Sequence, residues 1–289
     1  MRRLGLAVAL FVAAGTLSAS AQRSAAPDVM DTVAHIGEYV QSYVSRAQSI
    51  ICDEIVRVQE LGYDLLGTSS PARVVVSELR VSWDAAPDGA MLAPQVLRNL
   101  LTVNGRPPRE KDLDRCFDPQ ASTPEMLGEL FLPDNRSKFR FTARPSGKVS
   151  GRPALVIDVV DLQKGPVEMK ATDDCVEFGK PGTMKWRVWV DPATYAVLRI
   201  DQSLNTLFDV TIPPNRKHRL PERDLLLERA DTSVVYRQVT FTDPDETILL
   251  PATREAVQVI RNSPSPRMRI SSMYKNYRRF MTGIRIVQQ

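Results

Sequence analysis

The last third of the chain contains three consecutive strand-like segments. They cover residues 232–242, 246–261 and 267–286, and the short polar turns Asp243-Pro-Asp245 and Ser263-Pro-Ser-Pro266 separate them. The first two segments alternate between apolar and polar residues, a period that is typical of a strand with one buried face. Because strands joined by short turns pair antiparallel, the pattern predicts an antiparallel meander.

Further strand-like segments precede this meander. In the strongest, residues 73–83, Leu79, Val81 and Trp83 alternate with polar residues. A hairpin is predicted over 185–201, where Asp191-Pro192 suits the first two positions of a type I turn. Shorter strands are predicted at 55–58, 96–103 (closed by an Asn104-Gly105 turn), 138–143 and 154–162.

A helix is predicted before the strands. Apolar residues recur at steps of three and four from Val29 to Ile51, and Asp28 stands where its side chain can cap the first turn. The spacing predicts an amphipathic helix of about six turns whose apolar stripe packs on a core. A stripe that faces a partner protein or a membrane is the alternative.

Three other regions lack a regular strand pattern. Residues 106–135 contain Pro107-Pro108, a possible helical turn at 111–116 and a short helix predicted over 122–130. The Gly- and Pro-containing stretch 163–184 is interpreted as an irregular loop. Residues 211–230 are rich in Pro and charge, and we expect a long excursion with a helical turn at 222–229.

The first twenty-one residues have the layout of a secretory signal peptide. Met1-Arg2-Arg3 is basic, the run from Leu4 to Thr16 is apolar, and Ser18-Ala-Ser-Ala21 ends in an Ala-x-Ala cleavage pattern. The apolar run is shorter than the roughly 20 residues that span a bilayer, which makes a membrane anchor the weaker alternative. We therefore expect cleavage after Ala21 and a mature chain that works in the periplasm or outside the cell.

The mature chain, residues 22–289, is expected to form a single domain, with a boundary near 163–184 as the alternative. It contains no second apolar run long enough to cross a membrane. Cys116 and Cys175 both stand in polar, loop-like surroundings, and we predict that they form a disulfide, which exported proteins can retain.

Cys52 is expected to be buried, because it follows Ile50-Ile51. The acidic residues after it, Asp53 and Glu54, would raise the pKa of its thiol, which argues against a catalytic thiolate.

The charge of the chain does not indicate a nucleic-acid partner. The formal net charge is +4 and falls to +2 when Arg2 and Arg3 leave with the signal peptide. No nucleic-acid recognition motif is present. The sequence has one local excess of positive charge, near its end. We interpret this basic run as part of a solvated sheet surface, and contact with anionic lipid or an envelope polymer is the alternative. This basic run consists of Arg261, Arg267, Arg269, Lys275, Arg278 and Arg279.

No established catalytic, metal or cofactor motif is present in the sequence. His35 lies three residues before Glu38, which gives too few ligands for a metal site, and His218 stands among cations. Ser272-Met-Tyr-Lys275 matches Ser-x-x-Lys but falls in a predicted strand without its companion motifs. A hydrolase with two catalytic carboxylates remains an alternative, because the sequence contains three acidic pairs. We interpret them as residues of turns or strand starts: Asp53-Glu54, Asp173-Asp174 and Asp243/Asp245.

Two segments carry a family resemblance: the hairpin Trp186–Thr194 and the final segment Met273–Phe280. They resemble secreted proteins of an acidobacterial type, which are similar to the periplasmic lipoprotein-carrier superfamily of LolA, LolB and RseB. The resemblance implies a mainly β (α+β) fold, in which a large curved antiparallel sheet, or half-barrel, carries a long N-terminal helix and short helices on its concave face. It also implies a cavity for acyl chains or a lipopeptide, without catalysis or a cofactor.

The sequence leaves three hypotheses for function. The first is a non-catalytic periplasmic binding protein that holds a lipid, lipopeptide or other apolar ligand between sheet and helices, with Trp83, Phe141 and Trp186 as candidate wall residues. The second is an envelope sensor or scaffold that binds another protein through the basic C-terminal strands. The third is a hydrolase that uses unidentified acidic residues.

Overall fold

The computed structural model describes residues 28–47, 49–83, 94–113, 115–118, 123, 125, 130–163, 168–171, 176–180, 183–212 and 223–279. The expected signal peptide and most of the short helix expected at 122–130 lie outside these ranges. No helix within them is long and apolar enough to cross a membrane.

The predicted N-terminal helix is confirmed as α1 (Val29–Arg46). Asp28 caps it as predicted, because its carboxylate accepts a hydrogen bond from the Met30 backbone N–H at 3.0 Å. The helix is shorter than predicted. Ile51 does not continue the stripe, because it pairs with neighbouring strands on both sides. The buried residues of α1 are Thr32, Val33, Ile36, Gly37, Val40 and Tyr43.

The remaining described elements are strands and two short 3-10 helices, Glu110–Asp112 and Pro133–Lys138. The strands are β1 (Ile50–Glu60), β2 (Arg73–Ser82), β3 (Gln95–Val103), β4 (Phe139–Val149), β5 (Arg152–Asp161), β6 (Glu168–Ala171), β7 (Val176–Lys180), β8 (Met184–Val190), β9 (Val197–Leu204), β10 (Phe208–Ile212), β11 (Arg223–Thr242), β12 (Asp245–Arg261) and β13 (Arg267–Arg279).

Eleven of the described strands form one antiparallel sheet in the order β3-β2-β1-β13-β12-β11-β9-β8-β5-β4, and β10 pairs with β11. β6 and β7 form a separate two-stranded ladder. The large sheet is curved and unclosed, with β3 and β4 at its two ends, which confirms the half-barrel fold. The predicted meander is confirmed as β11-β12-β13, and β13 returns to lie beside β1.

Two predictions about irregular regions are wrong. Part of the loop predicted at 163–184 is the β6–β7 hairpin. The helical turn predicted at 222–229 belongs to β11, a strand of 20 residues. Leu225 and Leu227 lie two positions apart and are both buried, so the strand period outweighs the helix propensity of the leucine-rich run.

The core lies on one face of the sheet, here called the inner face, beneath α1. Its largest cluster joins Val33, Ile36 and Val40 of α1 to inward residues of the sheet such as Val188 and Ile200. Phe131, which is fully buried, packs in the same cluster.

Two other segments cover the rest of the inner face. Phe117 packs on Val56, Val58 and Val75 of β1 and β2. Val176, at the start of β7, packs in a cluster with Leu204, Leu225, Leu227 and other residues.

The opposite, outer face carries ion pairs. Asp158 of β5 accepts hydrogen bonds from Arg144 at 2.6 Å and from Arg187 at 2.7 Å. These arginines hold the pKa of the Asp158 carboxyl below its usual value, with the Arg187 hydrogen bond as the largest cause. Alternation of side chains along each strand thus separates an apolar inner face from a charged outer face.

The contact between α1 and the segment around Phe131 requires glycine at position 37. A Cβ atom there would lie 2.6 Å from the Phe131 carbonyl oxygen and would also meet the Arg136 guanidinium. We predict that Gly37→Ala lowers the unfolding free energy by about 1–3 kcal/mol through overpacking. At an exposed helix position the same change would stabilise by about 1 kcal/mol.

Urea denaturation of the mature protein measures this effect. Ser42→Ala, on the exposed side of the same helix, is the matched control and should lose no stability. A gain in stability for Gly37→Ala would contradict the close contact.

Candidate functional site

The structure brings together two of the three predicted wall residues. Phe141 of β4 and Trp186 of β8 both flank Phe139, with ring centroids 6.4 and 5.6 Å from it, in edge-to-face arrangements. Such geometry is favourable for aromatic pairs. Phe139 was not singled out from the sequence, although it shares the strand period of Phe141.

Phe139, Phe141 and Trp186 form what we call the aromatic strip. All three are only partly buried, whereas Val159 and Val188 beside them are fully buried. Trp186 packs against both the main cluster beneath α1 and the cluster that contains Val176. The aromatic strip therefore lies along the edge of the main cluster and reaches the second cluster through Trp186.

Trp83 lies elsewhere on the inner face. It follows the end of β2 and packs in a separate cluster with Cys52, Leu79, Val81 and Tyr274. Its indole Nε1 is buried and has no hydrogen-bond partner among the described residues. A buried polar atom of this kind carries a free-energy cost unless some group pairs with it.

A polar cluster of Tyr43, Cys52, Glu125 and Tyr277 lies between α1 and the sheet. The Tyr43 hydroxyl donates to Glu125 Oε1 at 2.9 Å, and the Tyr277 hydroxyl donates to the Pro251 carbonyl oxygen at 2.7 Å. The second carboxyl oxygen, Glu125 Oε2, is buried and has no hydrogen-bond partner within the described part of the chain.

Burial dominates the acid–base properties of this cluster. It raises the pKa of the Glu125 carboxyl, and the hydrogen bond from Tyr43 opposes that shift only in part. It also raises the pKa of the Cys52 thiol to about 12, with further upward contributions from Glu54 and Glu125. Cys52 is therefore a neutral, buried thiol, as the sequence indicated.

A buried ion pair adjoins this cluster and was not predicted. Glu54, which is 1% exposed, accepts hydrogen bonds from Arg98 Nε at 2.6 Å and from Arg98 Nη2 at 3.2 Å. The sequence does contain a signal: Glu54 lies in phase with Cys52 and Val56, which places a carboxylate on the inner face. Its partner comes from β3, two strands away in the sheet, so local spacing could not identify it.

The other candidate groups are dispersed. Ser272 is buried and Lys275 is exposed on β13, an odd number of residues apart, so they do not form a pair. His35 stacks on Tyr195 with ring centroids 4.6 Å apart, and His218 lies outside the described residues. The described residues contain no group of three or more His, Cys, Asp or Glu side chains that could hold a metal ion.

The acidic pairs do not form a cleft of two carboxylates. Asp53 lies on the outer face and accepts a hydrogen bond from Asn276 at 2.6 Å, whereas Glu54 points to the inner face. Asp243 and Asp245 are exposed at the turn between β11 and β12, and Asp173-Asp174 lies outside the described residues.

The cysteine pairing stays a prediction. Cys116 is disulfide-bonded and Cys52 is free. Cys175 lies outside the described residues.

Most of the basic run contacts groups of the chain itself. Arg278 pairs with Glu78 at 3.3 Å, and Arg267 stacks on Tyr63 at 3.9 Å from the ring centroid. Arg261 pairs with Glu228, Arg269 donates to the Leu65 carbonyl, and Arg279 pairs with Glu246 and donates to the Arg46 carbonyl. The three ion pairs of Arg261, Arg278 and Arg279 offset half of the positive charge of the run.

Comparisons with known proteins give neighbours in structure only. No protein-family model and no curated protein matches the sequence. A DUF1329 family protein from Desulfovibrio piger is similar over 88% of this chain and 94% of its own, at 8% identity and a TM-score of 0.43.

Two further neighbours carry names from the superfamily that the sequence resembles. An outer membrane lipoprotein-sorting protein domain from Vibrio parahaemolyticus is similar over 89% of this chain and 95% of its own at 12% identity, with a TM-score of 0.38. A LolA superfamily protein from Nitrosomonas europaea covers 88% and 96% at 8% identity, with a TM-score of 0.36. At these identities the similarity concerns the fold alone.

The buried ion pair can be tested by removing one partner. We predict that Arg98→Met lowers the unfolding free energy by about 3–5 kcal/mol, because it leaves the Glu54 carboxylate buried without a cation. The double variant Glu54→Met/Arg98→Met should recover most of that loss. Denaturant titration of the mature protein measures both.

Arg80 provides the matched control. It pairs with Glu78 at 2.7 Å but is 48% exposed, so Arg80→Met should cost less than about 1 kcal/mol. If Arg98→Met and Arg80→Met lowered the unfolding free energy equally, the buried Glu54–Arg98 pair would not be more important for stability than an exposed pair.

Proposed function

We propose that this protein is a non-catalytic binding protein of the cell envelope that holds an apolar ligand, such as a lipid or lipopeptide, against the inner face of its sheet. The observation that carries the proposal is the aromatic strip. Its three rings are partly buried against the main cluster beneath α1, and Trp186 also packs against the cluster that contains Val176. A ligand that covered these rings would remove apolar surface from water, at about 25 cal/mol per Å².

The two tryptophans of β8 distinguish the two faces of the sheet. Trp186 belongs to the aromatic strip, whereas Trp189 lies on the outer face beneath the Arg199 guanidinium, 4.8 Å from its ring centroid. Both are partly buried. An acyl chain on the inner face would approach Trp186 and stay away from Trp189.

Fluorescence quenching by brominated lipids tests this difference. The probes are dibrominated stearic acid, its methyl ester and its monoacylglycerol, each added to the delipidated mature protein. We predict that at least one of them quenches tryptophan fluorescence in the wild type. The quench should fall in Trp186→Phe and persist in Trp189→Phe.

Quenching that depended on Trp189, or no quenching by any probe, would contradict the proposal. Native mass spectrometry of protein purified gently from a periplasmic extract is an independent readout, in which we expect an additional mass in the lipid range.

A protein-binding role is the second candidate, and β3 favours it. β3 is the terminal strand of the sheet, and it exposes Leu97 and Leu101 at 59% and 43%. A terminal strand can accept an extended peptide through its free backbone groups. The basic run is a weaker contact surface than the sequence suggested, because most of its arginines pair within the chain.

Crosslinking in envelope extracts tests the second candidate. Leu97→Glu/Leu101→Glu should reduce recovery of any partner protein at least several-fold, because the carboxylates oppose apolar contact. Leu162→Glu changes a residue that is 54% exposed beyond β5 and is the control. Equal recovery with both variants would rule out β3 as the contact.

A further inference from the structure

Two buried polar atoms of opposite character lack partners on the same part of the inner face. Glu125 Oε2 can accept a hydrogen bond and Trp83 Nε1 can donate one, and neither does so within the described part of the chain. Buried polar groups are paired in the large majority of cases, so each of these atoms is a candidate contact for a group that the described residues do not supply.

Trp83 and Glu125 share neighbouring side chains. Trp83 packs in the cluster with Cys52, and Val44 and Tyr277 contact that cluster. Glu125 interacts with Cys52 and Tyr277 electrostatically and accepts a hydrogen bond from Tyr43, the residue before Val44. Val44 and Tyr277 also pack against the main cluster beneath α1. The acceptor and the donor therefore border one region between α1, β1 and β13, beside the apolar core.

We propose that this region binds the hydroxyl head group of an uncharged lipid, with the hydroxyl donating to Glu125 Oε2 and accepting from Trp83 Nε1. A hydroxyl is the small group that donates and accepts at once. This inference rests on the proposed function, because it assigns the polar end of the ligand that the aromatic strip would hold.

The charges around the region disfavour an anionic head group. Arg98, one of the nearby cations, already forms two hydrogen bonds with Glu54. Another cation beside the region, Arg237, lies over the Tyr277 ring and donates to the Tyr274 carbonyl oxygen. A fatty-acid carboxylate placed near Glu125 would have to draw one of these arginines away from its present contacts, and burial of an unpaired charge is costly. An ammonium could pair with Glu125 but has no lone pair to accept from the indole N–H.

Matched lipid probes test the head group. Oleyl alcohol and its methyl ether share the same chain, and both accept a hydrogen bond, but only the alcohol donates one. We expect the wild type to bind the alcohol up to about tenfold more tightly than the ether, the effect of one hydrogen bond. We expect oleate to bind more weakly than the alcohol at neutral pH.

Trp83→Phe removes the donor and keeps an aromatic ring. We expect it to weaken binding of both alcohol and ether by up to about tenfold while leaving binding of octadecene, which has no oxygen, unchanged. Trp189→Phe, on the outer face, is the control and should change none of the three. If Trp83→Phe fails to fold, the comparison of alcohol with ether in the wild type still tests whether a ligand hydroxyl donates a hydrogen bond to the protein.

The outcomes separate the two proposals. If the wild type binds alcohol, ether and octadecene and does not distinguish alcohol from ether, the hydroxyl site is overturned while the apolar site stands. If the wild type binds none of the probes, including octadecene, the proposed function itself fails.

Discussion

The packing of α1 on the inner face of the sheet is the interaction on which the rest of the structure depends. An open antiparallel sheet that is apolar on one face needs a cover, because each exposed aliphatic side chain forgoes about 1.5–3 kcal/mol of burial. Val33, Ile36 and Val40 supply that cover and are fully buried. The C-terminal end of the helix is held by Arg279, which donates to the Arg46 carbonyl at 2.7 Å, a favourable position for a cation.

The position of α1 determines the chemistry beneath it. Tyr43, on the buried side of the helix, reaches Glu125 and holds one of its carboxyl oxygens. The other oxygen remains unpaired in a buried setting, and burial raises the pKa of the carboxyl. The helix that closes the core therefore also leaves a polar region at the margin of that core. The aromatic strip lies on other strands of the same inner face, so an apolar chain and its polar head could be held by one surface.

Many of the described charges pair with one another. On the outer face Asp158 joins two arginines, and on the inner face Glu54 and Arg98 pair almost out of contact with water. In the basic run, Arg261, Arg278 and Arg279 also pair with carboxylates. Recognition of the proposed ligand on the inner face would rest on shape, apolar contact and a few hydrogen bonds.

Much of the fold could be predicted from the sequence, since alternation and turn residues are local signals. α1 with its Asp28 cap, the 185–201 hairpin and the β11-β12-β13 meander follow from spacing alone. The errors at 163–184 and 222–229 arose where short or mixed patterns were compatible with more than one structure, and pairing with distant strands decided between them.

The candidate site depended far more on the tertiary structure. Residue type and strand phase pointed to Phe141, Trp186 and Trp83, but whether these rings meet is set by sheet order, which separates Trp83 from the other two. By itself, the sequence determined which residues face inward, because the period of a strand is a property of neighbouring residues. Only the tertiary structure decided that Glu54 meets Arg98 and that Glu125 lies under Tyr43. Those contacts join segments far apart in the chain, and their energies exist only once the sheet has curved and the helix has packed on it.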